Sequence, residues 1–270
     1  MKASWSAGLL LVCSSISASE ERLITLAPHL AELVCAAGAC EQLVAVSAYT
    51  DYPPEAAARP TIGDAYQVSR EAVVSHRPTR VMVWEGGTPP ERAERLRALG
   101  VRVEPIAIAH LDDIPRALRQ LGRSVGEPLV AEAAALSFET RLAALRNRYR
   151  DVSRLRAFYQ IDAQPVFTVS GRSPISEALQ VCGADNVCAD LGSIAAPVSV
   201  ESLIATQIDV VVHGEREHAA IADFWSRLPL REGRPPVRIV VDADRLSRAS
   251  PRLLDVLEPL CAALDAQRSG

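Results

Sequence analysis

The chain has 270 residues, of which 49% are hydrophobic, enough to build one large domain or two modest ones. Its formal net charge is −4, from 29 basic and 33 acidic side chains, and no basic block or stripe interrupts the sequence. This balance argues against a nucleic-acid partner.

Residues 1–19 have the pattern of a signal peptide. Lys2 precedes an apolar run that is much shorter than the ~20 residues needed to span a membrane. Small residues follow this run, so cleavage is expected near Ala18 or Ser19. A lipid anchor at Cys13 is the weaker interpretation, because valine rather than a small residue precedes it. The sequence predicts an exported, soluble protein.

Strands and helices are predicted to alternate through the first half of the mature chain. Apolar runs predict strands at RLITLAP, QLVAVSAY, TRVMVWEGG and VRVEPIA. Apolar residues at helical spacing predict helices at HLAELVCAAGA, SREAVVSH, PERAERLRALG and LDDIPRALRQLGRSVG. The segment DYPPEA is predicted to be a turn, because its adjacent prolines interrupt both patterns. This alternation is typical of a parallel α/β sheet.

A long helix is predicted at about 128–150, where the pattern continues without an internal glycine or proline. Alternation then resumes. The later strands are predicted at AFYQID, PVFTVSG, DVVVHGE and VRIVVDAD. The later helices are predicted at SEALQVCGA, VESLIATQ, IADFWSRL and SPRLLDVLEPLCAALDAQ.

An internal repeat relates the two halves. The segment VSREAV at 68–73 recurs in altered form as VSVESL at 198–203, and Glu71 aligns with Glu201. The same register continues to align the strands that follow. The segments ITLAPHLAELVCAAGA and FTVSGRSPISEALQVCGA form a second pair, after an insertion of two residues.

The repeat and the alternation together predict an α/β protein of two similar Rossmann-like lobes. We place the lobes at 20–126 and 154–270, joined by the backbone helix at 127–153. A single rigid helix as the crossing would hold the lobes at a nearly fixed angle. The groove between them, lined by loops at the carboxyl ends of the strands, is the expected ligand cleft.

The cysteines favour a structural disulfide. Export places the chain in an oxidising compartment, and the count of five after cleavage leaves at least one thiol unpaired. No CxxC motif and no metal-like spacing with histidine is present. Cys182 and Cys261 both lie in apolar helical segments, and a bridge between them would close a long loop. A local bridge between Cys35 and Cys40 stays open, as does the pairing of Cys188.

Four segments carry a resemblance to a known family. They are SAYTDYPPEA, VMVWEGG, LQVCGADN and RASPRLLDVLEPLCAAL. In them the chain resembles the helical-backbone periplasmic substrate-binding proteins of ABC importers, and within that family the cobalamin binders. The resemblance covers about residues 20–265. It implies a monomeric periplasmic protein that holds cobalamin or a related corrinoid as its ligand, has no catalytic activity and delivers the ligand to a membrane-embedded ABC permease.

The resemblance also implies which side chains contact the ligand. It places Tyr49, Trp84 and Phe167 at the cleft, and Asp244 and Arg248 beside the polar rim of the ligand. Aromatic rings suit a large, flat, partly apolar macrocycle. Rim amides need donors and acceptors of the kind that arginine and aspartate supply.

The chain departs from the cobalamin binders at two positions. Where they have a cleft tryptophan before the first repeat, this chain has Ala65 with Tyr66 beside it, and Tyr66 is therefore included as a ligand residue. Before the second repeat it has Ala195 and Ala196 in place of another tryptophan. Less aromatic surface in the cleft implies a lower affinity or a different corrinoid.

Simpler structural interpretations stand beside these assignments. The three aromatic residues can be core residues at strand ends. Asp244 and Arg248 can form an i,i+4 surface pair. His29, at the start of the first helix, is included among the ligand residues, although a histidine there is more often a cap or a hydrogen-bonded loop residue.

Glu71 and Glu201 also have two interpretations. Each follows a serine by two residues and so lies in the first turn of a helix, where the helix dipole stabilises a negative charge. Capping does not require the same residue on both lobes. In the resembled family, matching acids on the two lobes meet arginines of the importer, so we expect these glutamates to dock the protein on its permease.

Other function classes receive less support. The sequence has no GxSxG, HExxH, P-loop or GxGxxG motif after a predicted strand, so an enzyme is not favoured. Haem binding is an alternative in the same fold, with Tyr49, Tyr66 or His29 as a metal ligand. Ferric siderophores usually need a basic cleft, for which Arg248 is the one candidate.

Overall fold

The computed structural model describes residues 21–64, 67–229 and 235–268. The predicted signal peptide at 1–19 and the ligand candidate Tyr66 lie outside these residues, as does Ala65. Within the described ranges, no helix is both long and apolar enough to cross a membrane.

The first half of the chain follows the predicted alternation. Its elements are β1 Leu23–Thr25, α1 Pro28–Ala36, β2 Leu43–Ala45, α2 Pro54–Ala57, α3 Arg70–Ser75, β3 Arg80–Glu85, α4 Pro90–Arg97, β4 Arg102–Ala107 and α5 Asp113–Val125. The strands form a parallel sheet in the order β2-β1-β3-β4. The predicted parallel sheet is therefore confirmed for this half.

Buried residues lie on both faces of this sheet. Successive strand residues point to opposite sides, so each face contributes to a different core. Ile24 and Val81 pack with Val73 and Leu96 of the helices on one face. Leu23 and its face neighbours join a larger core that includes α1 and α5. Burial on both sides is the reason that β1, β2 and residues 81–83 of β3 are nearly continuous apolar runs, whereas the edge strand β4 is partly exposed.

The long helix α6 runs from Pro128 to Arg148. Proline at its first position supplies the fixed φ of a helix start without losing a hydrogen bond. Its buried residues recur every three or four positions and form one stripe: Ala131, Ala135, Phe138, Leu142 and Leu145. Gly122 of α5 lets the two helices approach closely, since a Cβ there would lie 2.2 Å from the Cβ of Ala131.

The second half is also α/β, but its sheet is mixed. Its elements are β5 Leu155–Ala163, β6 Val166–Val169, α7 Pro174–Val181, β7 Ala184–Asn186, β8 Ala195–Pro197, α8 Val200–Ala205, β9 Val210–Gly214, α9 His218–Ser226, β10 Val237–Val241, α10 Ala243–Ser247 and α11 Leu253–Ala266. The order is β10-β9-β5-β6-β8, and β7 also pairs with β5. β6 is the strand of opposite direction, because it forms a hairpin with β5, and it pairs antiparallel with β8 on its other side.

The internal repeat is visible in the structure. α3 and α8 both have six residues and begin at equivalent positions of the repeat, as do β3 and β9. Val73 and Leu203 fill matching buried positions. Two similar α/β lobes with a helix between them are thus confirmed as the fold.

One equivalence between strands of the two halves, predicted from the repeat, is wrong. The sequence aligned β1 with β6, but β1 is flanked by β2 and β3, and the corresponding place between β7 and β9 belongs to β5. The hairpin partner β6 is an addition before α7. Short apolar strands resemble one another in sequence, and only the hydrogen-bond ladder identifies the equivalent one.

Two local expectations also need correction. The segment expected as a turn contains the one-turn helix α2. The last strand was expected to continue through Asp244, but β10 ends at Val241 and α10 begins at Ala243. The Asp242 side chain accepts a hydrogen bond from the Arg245 N–H at 3.0 Å, a helix cap that ends the strand.

The structure contains the disulfide between Cys182 and Cys261, the pair expected from the sequence. It joins the end of α7 to α11, and both residues are fully buried. The local alternative is also present, because Cys35 and Cys40 are bonded. Among the residues that the structure describes, Cys188 is the free cysteine.

Candidate functional site

The first lobe presents one wall of the candidate site. Trp84 lies near the carboxyl end of β3, Tyr49 follows β2, and His29 lies in the first turn of α1 after β1. The carboxyl ends of parallel strands meet at one edge of a sheet, so these three side chains belong to the same edge. Trp84 is 37% exposed and Tyr49 is 82% exposed, so neither is a buried core residue.

The indole of Trp84 is braced from two sides. Its ring meets the imidazole of His29 edge-to-face, with centroids 5.1 Å apart and an interplanar angle of 86°. It also covers Gly87, where a Cβ would lie 1.9 Å from Cε3 of the indole. The glycine of the VWEGG segment therefore positions the ring, and the sequence carries this signal directly.

His29 is a buried, uncharged base. It is 8% exposed, and its Nε2 atom has no hydrogen-bond partner within the described part of the chain. Burial, helped by the nearby Arg248 guanidinium, lowers the pKa of His29 from 6.5 to about 4. The expectation that His29 caps the helix is wrong, because Ala27 is the N-cap and no side chain caps α1.

The second lobe contributes a pocket with a volume of about 660 Å³. It opens at the carboxyl ends of β5, β9 and β10, so it is the counterpart of the first wall. Tyr159, Gln160 and Ile161 line it from β5. The other lining residues include Glu215, Arg216, Glu217, Asp242, Asp244 and Ser247. Asp244 accepts a hydrogen bond from Arg216 at 2.6 Å.

Arg248 joins the two lobes. Its guanidinium donates to Glu32 at 3.1 Å and to the carbonyl of Tyr49 at 3.1 Å, and it forms an ion pair with Asp51. The interpretation of Asp244 and Arg248 as an i,i+4 pair is therefore wrong, since their partners are different residues. Hydrogen bonding to Arg248 holds the pKa of Asp51 below its usual value.

Glu32 is the centre of this cross-lobe contact. It accepts hydrogen bonds from the Ser250 hydroxyl at 2.5 Å and from Arg252 at 3.1 Å, in addition to Arg248. Arg252 also stacks over the ring of Tyr52, 3.7 Å from its centroid. The sequence did not identify Glu32 as a functional residue, although its alignment with Glu177 in the repeat was a usable signal.

Phe167 lies on β6, beside Asp162 of β5 and Pro197 of β8. The end of β5 is also the edge at which the pocket opens, so Phe167 lies on the predicted side of the second sheet. It is partly buried. Ala195 and Ala196 pair with the following residues of β6, which leaves small side chains next to the phenylalanine.

The two repeated glutamates are exposed at equivalent helix starts. The caps themselves are serines: the Ser69 hydroxyl accepts from the Ala72 N–H at 3.2 Å, and the Ser199 hydroxyl accepts from the Ser202 N–H at 3.1 Å. Ser69 also donates to Glu71 at 2.8 Å. Hydrogen bonds from the Glu71 backbone N–H and from the Ser69 hydroxyl hold the pKa of the Glu71 carboxyl below its usual value.

Both walls carry groups that can bind a ligand. In the described ranges, no group of three or more histidine, cysteine or acidic side chains is arranged to hold a metal ion. Aromatic faces on one wall and carboxylates on the other suit an uncharged or cationic flat ligand. Sequence reasoning missed Asp51, Tyr159 and Glu217 at this site, because their partners come from distant parts of the chain.

Comparisons with known proteins agree with this description. The family model described as "Periplasmic binding protein" matches residues 23–229. The Vitamin B12-binding protein of Pectobacterium carotovorum is 34% identical, over 98% of this chain and 96% of its own.

Solved structures extend the comparison. The periplasmic vitamin B12-binding protein of Vibrio cholerae superposes with a TM-score of 0.83 at 32% identity, covering 93% of this chain and 98% of its own. A periplasmic haem-binding protein of Roseiflexus superposes with a TM-score of 0.81 at 26% identity, covering 92% and 99%. The fold is therefore shared by proteins named for two kinds of tetrapyrrole.

Proposed function

Because this chain belongs to the periplasmic binding protein family, we propose that it captures a corrinoid, cobalamin or a close relative, and delivers it to an ABC importer. The observation that carries the proposal is the match to relatives named for vitamin B12 binding over nearly the whole of both chains. The role is binding and delivery in the periplasm, without catalysis.

The ligand is held between the lobes, for which we use the boundaries 20–126 and 154–270 with the helix 127–153 between them. Trp84 and Tyr49 supply exposed aromatic surface from the first lobe, and Phe167 supplies a ring from the second. Tyr66 belongs to the same set by its place in the sequence. Flat contact with these rings suits the apolar faces of a corrin.

Polar groups then orient the rim of the macrocycle. Asp244 lines the pocket of the second lobe, where its carboxylate is within reach of a ligand amide. Arg248 holds the Tyr49 loop by donating a hydrogen bond to the Tyr49 carbonyl. The same guanidinium binds Glu32 and Asp51, so it contacts the rim of the ligand while keeping these two partners. His29 supports Trp84 and does not present a charge to the ligand.

Delivery requires recognition of the permease. Glu71 and Glu201 place one exposed acid on each lobe at equivalent positions, which matches a partner with two-fold symmetry. Two separated ion pairs give orientation and a fast encounter more than affinity. The protein acts as a monomer in this role.

Haem is the second candidate, favoured by the structural likeness to the haem-binding protein of Roseiflexus. Titration calorimetry and absorption spectra of the mature protein with cyanocobalamin, cobinamide and haemin separate the two. We expect one corrinoid to bind per chain and its chromophore to survive desalting, with haemin binding more weakly. Retention of haemin together with loss of both corrinoids would assign the protein to haem.

A further inference from the structure

We propose that the pocket of the second lobe is a subsite for the primary carboxamides of the ligand, and that it rejects tetrapyrroles with free carboxylates on that side. We call this pocket the acidic pocket, defined by Tyr159, Glu215, Glu217, Asp242 and Asp244. The inference rests on the proposed function, and it names the chemical feature by which the cleft selects among flat macrocycles.

The charges of the acidic pocket are only partly balanced. Asp244 pairs with Arg216 at 2.6 Å, and Asp242 pairs with Arg245 at 3.0 Å. Glu215 and Glu217 have no ion-pair partner among the residues that the structure describes. Two unneutralised carboxylates therefore face the ligand, and they accept hydrogen bonds but cannot donate them.

Tyr159 adds a donor at the bottom of the same pocket. The residue is 3% exposed, yet its side chain lines the pocket, and its hydroxyl makes no hydrogen bond with any described residue. Burial raises the pKa of Tyr159, and the charges of Glu217 and Asp244 raise it further. The hydroxyl is therefore protonated and has no hydrogen-bond partner in the described chain, so it is free to donate to a ligand acceptor at the pocket wall.

A primary carboxamide satisfies both requirements at once. Its carbonyl oxygen accepts from the Tyr159 hydroxyl, while its NH₂ group donates to the carboxylate of Glu215 or Glu217. A ligand carboxylate has no donor for these glutamates and is repelled by them. An unmatched charge or polar group in a partly desolvated site costs more than the matched contact gains, so the discrimination is large.

One of these carboxylates lies close to the backbone at the end of β9. Gly214 lies against the Glu217 side chain, and a Cβ at Gly214 would lie 2.8 Å from Oε2 of that glutamate. Glu217 therefore folds back over the end of β9, toward the wall of the pocket that Gly214 also lines.

The test compares two corrins that share a macrocycle. Dicyanocobinamide has amidated side chains, and dicyanocobyrinic acid has free carboxylates. Calorimetry at neutral pH should find the amidated corrin bound at least ~100-fold more tightly, the scale expected when buried polar groups lose their partners. The Glu215→Gln, Glu217→Gln double variant should reduce this ratio ~10-fold or more, mainly by improving the binding of the acid.

A matched variant controls for net charge. Glu41→Gln with Asp151→Asn removes the same two charges at the amino ends of β2 and β5, the opposite edges of the sheets. It should leave the ratio unchanged. Tyr159→Phe should weaken dicyanocobinamide several-fold, because the carboxamide oxygen loses its donor.

The outcomes separate this inference from the proposed function. If both corrins bind equally well to the native protein, or if the double variant and its control behave alike, the carboxamide subsite is refuted while corrinoid binding stands. If neither corrin binds, the subsite is refuted, and cyanocobalamin in the same assay decides whether corrinoid binding stands. A ratio that falls in the double variant and persists in the control supports the subsite.

Discussion

His29 illustrates how one buried base can link stability to pH. Its pKa is lowered from 6.5 to about 4 by burial and by Arg248, so the unfolded chain binds a proton there more readily than the folded one. The folded state is therefore favoured fully above pH 6.5. That contribution is lost as the pH falls from about 6.5 to about 4.

We expect His29→Phe to flatten the dependence of unfolding free energy on pH in this range. The phenyl ring keeps an aromatic contact with Trp84 but cannot titrate. The depressed pKa corresponds to about 3 kcal/mol between pH 7 and pH 4. Urea denaturation at several pH values measures it. An unchanged slope in the His29→Phe variant would contradict the assignment.

The predicted contact between Trp84 and the ligand can be tested by substitution. We expect Trp84→Ala to weaken corrinoid binding by about 1–3 kcal/mol, the range for losing a large aromatic contact. Calorimetry with cyanocobalamin measures the loss, and Trp84→Phe should recover part of it. Gly87→Ala offers an independent test, because its methyl group would displace the indole without removing it. Native affinity in the folded Trp84→Ala protein would refute the placement.

At the scale of elements, the disulfides differ in the length of chain they close. The bridge between Cys182 and Cys261 spans a sequence separation of 79, and the bridge between Cys35 and Cys40 spans 5. Replacing the long-loop pair by alanine should lower the unfolding free energy by about 4 kcal/mol, and replacing the short-loop pair by about 2 kcal/mol. Urea denaturation of both double variants measures this. Equal losses would indicate that chain entropy is not the main cause.

Substitutions at the starts of helices α3 and α8 distinguish the effect of helix capping from the effect of docking. The cap bonds come from the hydroxyls of Ser69 and Ser199, so Glu71→Gln with Glu201→Gln should leave the melting temperature and ligand affinity unchanged. Association with the reconstituted importer should slow and become less sensitive to salt, because rim charges act mainly on the association rate.

The matched control removes the caps and keeps the charges. Ser69→Ala with Ser199→Ala should cost about 1 kcal/mol of stability per site, with little change in association. If the glutamine double variant associates with the importer at the native rate and with native salt dependence, docking by these acids is wrong. The repeat would then reflect duplication of a fold alone.

At the scale of the whole molecule, two equivalent glutamates each bind the other half of the chain. Glu32 of α1 accepts from Arg248, Ser250 and Arg252. Glu177 of α7 accepts from the backbone N–H of Leu111 at 2.8 Å and from Arg146 at 2.9 Å. The same position of the repeat thus fixes each lobe to elements outside it.

The two contacts differ in burial, and their loss should differ accordingly. The Glu32 side chain is 2% exposed, so Glu32→Gln leaves Arg252 without its charge partner, removes one of the two partners of Arg248, and should cost about 3–5 kcal/mol. Glu177→Gln should cost less, because Arg146 keeps Asp112 as a partner at 2.7 Å. Denaturant unfolding provides the stabilities. Equal losses would show that the buried network does not hold the lobes together more strongly.

Much of this architecture was determined by the sequence alone. Serine caps, apolar periodicity and the repeated VSxE segments are local signals, so they identified most of the helices, most of the strands and the two-lobed plan. Trp84 and Gly87 lie three residues apart, so their contact is local, but it was not predicted from the sequence. Cys182 and Cys261 were paired because few cysteines with apolar helical surroundings were available.

Tertiary structure decided the contacts between distant residues. Arg248 lies 216 residues from Glu32 in sequence, and no local pattern distinguished this partner from nearby Asp244. The antiparallel direction of β6 was also not readable from the sequence, because it depends on which strands hydrogen-bond to one another in the assembled sheet. The acidic pocket likewise arises only where the ends of β5, β9 and β10 meet, because its carboxylates and its tyrosine come from separate strands and loops.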